Sequence, residues 1–332
     1  MAGPSVAVIG LGAVGSRAAR QLLSSDQVPT LTVRDADADR AETVGRSLGS
    51  TTTAELPPYT DAVEADIVVL ATPAGTHGAL ARDLVARNRS VISVSDSIDD
   101  VTALADLDSE ARERGVSVVI GAGFSPGLSC VLARHASADF SSIDEIHVAM
   151  SGTGGPACAR QHHRALGDWA IDWRDGGWVR RRGGSGRELC WFPDPIAGKD
   201  CYRAARPESL LLAPAFGGVS RVTARMAATR RDRLTARLPM LRPPHPEGGP
   251  GAIRVEVRGW RDDQRHVKIL GAMDRPAVGA GTVAAVAALS VLDGQVLRPG
   301  AAGLAELVDP VPFLAELARR GVKAAVFEGL TG

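Results

Sequence analysis

The chain has 332 residues, 45% hydrophobic and 23% charged, with 38 basic residues balanced by 38 acidic ones. That length accommodates two domains and a sizeable core, and zero formal net charge gives no electrostatic reason to expect a nucleic acid or an anionic membrane as partner. There is no apolar run long enough to span a bilayer and no signal-peptide architecture; Cys130, Cys158, Cys190 and Cys201 show neither C-x-x-C nor zinc spacing, which points to a cytoplasmic protein with free thiols and no metal.

The first element organises the rest. Ser5-Val-Ala-Val-Ile-Gly-Leu-Gly-Ala-Val-Gly-Ser16 is a β-branched strand running into G-x-G-x-x-G, and Ala18 and Leu22 then mark the buried stripe of a helix. Gly10 permits the tight turn, Gly12 lets the backbone approach a pyrophosphate, and Gly15 lets helix and strand pack. Ala13 and Val14 place open N–H groups and the positive end of the helix dipole at those phosphates. The next strand ends in Asp35, twenty residues after Gly15, where a carboxylate accepts from a ribose 2′-hydroxyl. Asp35 repels a 2′-phosphate, so the dinucleotide is expected to be NAD; Arg34 and Arg40 are near enough to leave NADP open.

Residues 36–48 read as a helix with Asp37 or Asp39 as its cap. Residues 64–73 form a continuous apolar strand, as a parallel sheet covered on both faces requires. Helix at 75–85, strand at 90–96, helix at 101–114 and strand at 116–121 continue the alternation. This is the pattern of a doubly wound parallel sheet, an α/β fold. Ligands of such sheets sit beyond the strands' carboxyl ends. Those ends carry Ala71, Thr72, Pro73 and Ser95 for the cofactor, and Asp96 as general acid/base or orienting carboxylate. A helix N-cap is the structural alternative for Asp96. His77 follows on the nicotinamide side of the same crevice.

From residue 139 the pattern changes. Runs at 143–150, 221–226 and 253–259 alternate, the last continuing as a hairpin into 266–270, so a second domain is expected to hold a mixed or antiparallel sheet. A Pro- and Gly-dense loop covers 238–251. Residues 277–292 carry almost no charge and predict a helix buried on nearly all sides. A further helix at 311–320 and a strand at 322–327 follow, so the C-terminal helices return to the first domain. The expected division is a dinucleotide-binding domain at 1–127, completed by about 276–332, and a substrate and dimerisation domain at 128–275.

Between Asp96 and the second sheet lies Gly121-Ala-Gly-Phe-Ser-Pro-Gly-Leu-Ser-Cys-Val-Leu-Ala133. It resembles the G-F-x-P-G-L-(S/T)-x-x-L-A segment of saccharopine dehydrogenase-like proteins, which include carboxynorspermidine dehydrogenase. The resemblance covers roughly residues 5–135. It implies a Rossmann domain joined to a sheet-bearing domain that supports a homodimer and closes over the substrate. It also implies oxidation or reduction of a C–N bond in an amino-acid secondary amine with NAD(P). This sequence departs from the family in being shorter than the members that act on saccharopine, and in carrying Ala36 where NADP-preferring relatives often have Arg.

Within the loop, Gly123, Phe124, Pro126 and Gly127 are candidates for contact with a small-molecule substrate. The densest polar cluster is Ser151-Gly-Thr-Gly-Gly-Pro-Ala-Cys-Ala-Arg-Gln-His-His-Arg164. Pro156 suits a first helical position, and Arg160, His163 and Arg164 share a helix face at i, i+3, i+4. Two guanidinia and an imidazole suit an acidic or amino-acid substrate, with His163 as a proton carrier and a solvated basic face as the alternative. Tyr202 and Arg203 join the candidate pocket. Cys158 and His162 are i, i+4, but two ligands do not make a zinc site. The leading reading is an NAD(P)-dependent oxidoreductase acting on an imine or C–N bond of an amino-acid-derived substrate. A hydroxy-amino-acid dehydrogenase and a non-catalytic dinucleotide-binding regulator are the alternatives.

Overall fold

Short β-branched and apolar runs build the first sheet. The computed structural model describes residues 5–58, 63–240 and 243–327. The ends of the expected domains at 1–4 and 328–332, and parts of the runs around 59–62 and 241–242, lie outside them. Strands β1 (Val6–Ile9), β2 (Leu31–Arg34), β3 (Thr52–Glu55), β4 (Ile67–Leu70), β5 (Ser90–Ser93) and β6 (Ser117–Ile120) alternate with helices. These are α1 (Ala13–Leu23), α2 (Ala38–Leu48), α3 (His77–Ala86), α4 (Ile98–Ala105) and α5 (Asp108–Glu113). Asp37 caps α2, its side chain accepting from Arg40 N. The helix expected over 101–114 is two helices, α4 and α5, with Asp106 and Leu107 between them.

Helix α6 (Leu128–Ser137) leads into the second sheet. That sheet uses β7 (Ser142–Ser151), β8 (Trp169–Arg174), β9 (Gly177–Arg182), β10 (Glu188–Trp191), β11 (Gly198–Arg203), β12 (Arg221–Ala227), β13 (Gly251–Arg261) and β14 (Gln264–Asp274). Between them stand α7 (Pro156–Ala165), α8 (Glu208–Ala215) and α9 (Arg230–Thr235). The chain closes with α10 (Pro276–Leu292), β15 (Gly300–Gly303), α11 (Leu304–Leu307), α12 (Pro310–Arg319) and β16 (Ala324–Phe327).

The first sheet is wholly parallel, in the order β15-β6-β5-β4-β1-β2-β3. Chain direction reverses its stepping between β1 and β4, and that switch point opens the crevice for a ligand. The second sheet runs β10-β11-β12-β7-β13-β14-β16, with β8 paired to β12 and β9. Only β7–β12 is parallel there, so it is mixed. The alternation read in β13 is a true two-faced strand. Ile253, Val255 and Val257 are buried, while Arg254 and Arg258 reach Glu256 on the other face. The β13–β14 hairpin turns through Asp262 and Asp263, both at positive φ, as a two-residue type I′ turn demands. Strands β8 to β11 had no alternation strong enough to announce them.

Helix α10 is buried over nearly its whole length and packs on α1, α12, β4 and β5. It touches α1 at Gly281, where a Cβ would stand 2.5 Å from the Arg17 Cβ and 2.9 Å from Ala18 N. The C-terminal return to the first sheet is thus made by α10, α12 and β15. The last strand goes elsewhere, since β16 pairs antiparallel with β14 in the second sheet. Among the described residues, no helix is long and apolar enough to cross a membrane.

Because Ala284 is fully buried in α10, Ala284→Asp places an unpaired carboxylate in the core. The expected cost exceeds about 3 kcal/mol. Thermal unfolding followed by circular dichroism checks it; a melting temperature within 2 °C of the wild type, on the order of 1 kcal/mol or less, counts against this packing.

Candidate active site

The glycine loop meets the physical requirements of a pyrophosphate cradle. A Cβ on Gly10 would lie 2.6 Å from the Ala71 backbone, and one on Gly15 would lie 1.8 Å from Gly10 O. These positions are closed by the protein itself. A Cβ on Gly12 would meet nothing within 4 Å, which is the open space a phosphate needs. Gly12 is the N-cap of α1 and no side chain caps that end, leaving the first-turn N–H groups at Ala13 and Val14 open to an anion. Asp35 is buried; its Oδ2 accepts from Leu11 N at 2.6 Å, and its Oδ1 from Asp37 N at 2.9 Å and Arg40 at 3.1 Å. The carboxylate, directly after β2, thus braces the glycine loop. Arg34 pairs with Glu55 and Arg40 with Asp35 and Asp37, so both nearby guanidinia already face carboxylates.

A cleft begins at this cradle and runs between the two sheets. Its first wall is Gly12, Ala13, Val14, Ala71, Thr72 and Pro73. Val94, Ser95, Asp96, Gly123, Phe124 and Ser125 form its floor. Gly154 to Cys158, Gln161 and His162, of α7 and its approach, also line it, and Met150, Pro276 and Ala280 complete the lining.

The structure therefore brings together Gly12, Ala13, Val14, Ala71, Thr72, Pro73, Ser95, Asp96, Gly123 and Phe124. Gly10, Gly15 and Asp35 support that wall from behind. Pro126 and Gly127 are buried below it, where Gly123 N donates to Pro126 O and Leu128 N to Gly123 O. His77 is fully buried. Its Nδ1 meets Ser93 Oγ at 2.9 Å and its Nε2 meets Thr72 O at 3.0 Å; burial lowers its pKa, against the pull of the Thr72 carbonyl and nearby carboxylates. A neutral imidazole with both nitrogens engaged props up the 71–75 turn and has no proton to exchange with a substrate. Asp100 assists it, accepting from Gly75 N, His77 N and Ser95 Oγ.

Helix α7 begins at Pro156 with Gly155 as N-cap, but the side it presents to the cleft is not the one its arginines suggested. Arg160 and Arg164 are exposed. His163 Nε2 lies 2.8 Å from Thr235 O and 3.1 Å from Leu238 O, outside the cleft lining. Cys158, Gln161 and His162 are the i, i+3, i+4 set that lines it. A shift of two residues, roughly 200° around the helix, separates the two sets and puts them on opposite faces. Tyr202 is buried under the Arg233 guanidinium, 4.2 Å from its ring, and Arg203 pairs with Asp172 at 3.2 Å; both point to a different region.

Asp96 is not the cap of α4, whose N-cap is Ser97. Its Oδ2 instead accepts from His162 Nε2 at 2.7 Å and from Arg206 Nη1 at 2.8 Å. Arg206 is 1% exposed and its Nη2 donates to Glu208 Oε1 at 2.8 Å and to the Ser125 carbonyl. Ser125 Oγ donates to the same Glu208 oxygen at 2.7 Å. A buried carboxylate, Glu208, and a half-buried one, Asp96, thus face one guanidinium, and an imidazolium at His162 balances the charge. Burial opposes that cation, but the Cys158 sulfur, 3.5 Å away, and the Asp96 carboxylate outweigh burial and Arg206 and raise its pKa to about 9. Burial would raise the Asp96 pKa, yet His162 and Arg206 hold it well below the usual carboxylate range. Asp96, Cys158 and His162 bring their ligand atoms within 4.8 Å of one another. The Arg206 guanidinium, 2.8 Å from Asp96 and 2.7 Å from His162 Nε2, already puts a positive charge where a metal ion would sit. Arg206 and Glu208 carried no motif; nothing in their spacing joins them to Asp96, 110 residues earlier.

Residues 5–122 match the model of the Gfo/Idh/MocA group, described as an oxidoreductase family with an NAD-binding Rossmann fold. The chain carries the NAD-binding domain of an NAD(P)-dependent oxidoreductase. Among solved structures, it is similar to apo saccharopine dehydrogenase (L-Glu forming) from Saccharomyces cerevisiae, with a TM-score of 0.70, 15% identity, and coverage of 98% of this chain and 100% of that one. A probable dehydrogenase from Thermotoga maritima follows at TM-score 0.51 and 12% identity, covering 97% and 98%. DAP dehydrogenase from C. glutamicum, in complex with DAP, gives 0.50 and 12%, covering 97% and 100%. No curated protein matches the sequence. At these identities the likeness is one of fold, and it extends the architecture of the NAD-binding domain to the second sheet.

The cradle separates two glycine substitutions. Gly12→Ala has room in the folded protein, so its melting temperature should stay within about 2 °C of wild type while NADH binding weakens roughly tenfold or more. Gly15→Ala should lose stability as well, by at least about 2 kcal/mol. Calorimetric titration with NADH beside thermal melts tests both; equal melting temperatures for the two variants contradict the geometry.

Proposed function

We propose that this NAD(P)-dependent oxidoreductase interconverts an imine and an amine in an amino-acid-derived substrate. The observation that carries the reading is the Asp96–His162 pair at the cleft floor. NAD(H), when bound along the cradle, supplies or accepts the hydride. Asp96 lines the cleft and uses one oxygen, Oδ2, for Arg206 and His162. Its carboxylate favours a cationic iminium nitrogen. His162, charged at neutral pH through its raised pKa, holds the proton that an imine nitrogen needs as hydride arrives at its carbon. Lys199, Lys268 and Lys323 are the chain's lysines and none lines the cleft. Covalent capture of a carbonyl by an amine side chain therefore has no lysine at the site.

In this reading, residues 1–127 with the chain from about 276 hold the cofactor, and 128–275 supply α7 and the substrate wall. We further propose a homodimer in the cytoplasm. Its support is the exposure of four large apolar side chains, Trp169, Trp178, Leu189 and Trp191, on the marginal strands β8 to β10, and the four free cysteines.

Two measurements test these statements. Imine reduction should fall as pH rises through about 9, because His162 gives up its proton there. Asp96→Asn removes the charge that sustains the imidazolium, so that limb should move to lower pH and kcat should drop roughly 100-fold with NADH binding intact. A pH–rate profile of Asp96→Asn that superimposes on the wild type refutes the assignment. For the dimer, sedimentation velocity should show twice the chain mass, and Trp191→Arg should shift it toward monomer.

A further inference from the structure

The segment 243–250, between α9 and β13, is a turn pressed against the cleft and tied to the cofactor helix. Gly248 N donates to His245 O at 3.2 Å, closing a turn with Pro246 at its second position and Glu247 at its third. Gly248 has φ +67°, and a Cβ there would stand 2.0 Å from Thr153 O and 2.3 Å from Gly154 O. The turn therefore packs directly on the approach to α7. That approach in turn reaches the glycine loop, since a Cβ on Gly155 would be 3.2 Å from Pro246 O and 3.0 Å from the Ala13 Cβ. Gly154, Gly155, Gly12 and Ala13 all line the cleft. From the turn, Glu247 Oε2 reaches Arg17 Nη2 of α1 at 3.0 Å and Arg275 Nη1, at the N-cap of α10, at 3.6 Å. Helix α10 packs on α1, so both guanidinia sit on the body that bears the cradle. The Gly154–Gly155 wall is thus pinned to α1 at two points one helical turn apart, by contact at Ala13 and by charge at Arg17.

We infer that Glu247 is a latch for the dinucleotide: its pairs with Arg17 and Arg275 hold the Gly154–Gly155 wall on the glycine loop, and NAD(H) enters and leaves when they open. The inference rests on the cofactor cradle and is independent of the proposed C–N chemistry. The phosphates are held by the N–H groups of Ala13 and Val14, and Gly155 touches Ala13, so the wall has to give way for the cofactor to pass. Turn and wall move as one piece. Pro246 fixes its own φ, and Gly248 is seated against the Thr153 and Gly154 carbonyls with no room for a side chain. The strength of the latch suits exchange rather than permanent closure. The Glu247, Arg17 and Arg275 side chains are 50%, 31% and 57% exposed, and ion pairs this wet are weak and screened by salt. A lone carboxylate one turn from an anion site repels the anion; two guanidinia neutralise this one.

Stopped-flow fluorescence with NADH and no substrate tests the latch, so its outcome is separate from that of the proposed reaction. Glu247→Gln keeps the turn and removes the charge. Dissociation should accelerate roughly three- to tenfold, the range two exposed pairs can supply. Association should accelerate with it, so that Kd changes by less than either rate. Ionic strength gives a second reading: between about 50 mM and about 500 mM salt, wild-type dissociation should climb toward that of the variant. A dissociation rate within about 1.5-fold of wild type is less than these pairs should cost and overturns the inference. Faster dissociation with unchanged association also overturns it, because that marks a lost cofactor contact. So does slower dissociation, which marks simple relief of repulsion. Gly248→Ala forces the turn off Thr153 and Gly154 and should accelerate exchange too, checked on protein with an unchanged circular dichroism spectrum; unaltered rates in that variant count equally against the latch.

Discussion

Arg206 places a positive charge in the protein interior, and three other segments of the chain join its own neighbour Glu208 around it. Asp96 comes from the loop after β5, Ser125 from the loop after β6, His162 from α7 and Glu208 from the first turn of α8. The first two belong to the carboxyl ends of the parallel sheet and the last two to the segments around the second sheet. An ion with 1% exposure survives only where opposite charge and hydrogen bonds replace the lost hydration, a cost of several kcal/mol per ion. Each partner is therefore indispensable to the others. Taking one carboxylate away strands the guanidinium, at about 3–5 kcal/mol. The interaction ties the carboxyl ends of β5 and β6 to α7 and to the start of α8 beside the cleft.

The same cluster determines which proton can move. One guanidinium against two carboxylates leaves a unit of negative charge, and His162 is the titratable group placed to cancel it. Burial and Arg206 work against that charge, while the Cys158 sulfur and the Asp96 carboxylate beside the ring raise its pKa. The fold thereby holds a cationic imidazole beside an ionised carboxylate at the cleft. Apolar neighbours such as Phe124 and Met150 reduce the local dielectric and make both charges count for more at the reacting atoms. His77 shows the contrasting case. It lies only a few residues past the cofactor turn, but without an adjacent carboxylate bonded to its ring it stays neutral and acts as a prop.

The sequence made the first sheet legible because its signals are local. Gly10, Gly12, Gly15 and Asp35 each fill a role defined within one βαβ unit, and continuous apolar strands require burial on both faces. The alternating strands β7, β12 and β13 were legible for a similar reason. Strands β8 to β11 were not, since Arg180, Arg181 and Arg182 in β9 mask any alternation and that part of the sheet exposes tryptophans. In α7 the spacing was correct and the face was not. Arg160-His163-Arg164 and Cys158-Gln161-His162 obey the same i, i+3, i+4 rule, and only the packing of Ala159, His162 and Ala165 against the protein decides between them. A charge-rich face attracts a functional reading, but charge is also what solvent accepts most readily. The buried partner Arg206 left no trace at all, because its meaning lies in contacts to Asp96 and His162 across 110 and 44 residues.

The two ends of the cleft are held by different kinds of constraint. At the cofactor end, Asp35 serves recognition and folding at once, since the carboxylate that can read a ribose also fastens Leu11 N at the turn of the glycine loop. Changing nucleotide preference there disturbs the cradle itself. At the other end the Arg206 guanidinium and the His162 imidazolium stand against the Asp96 and Glu208 carboxylates, so the charges close among four buried or half-buried groups. Replacing any one of them leaves its partners with an unbalanced charge away from water, and the cleft that they border is therefore tied to the stability of the fold itself.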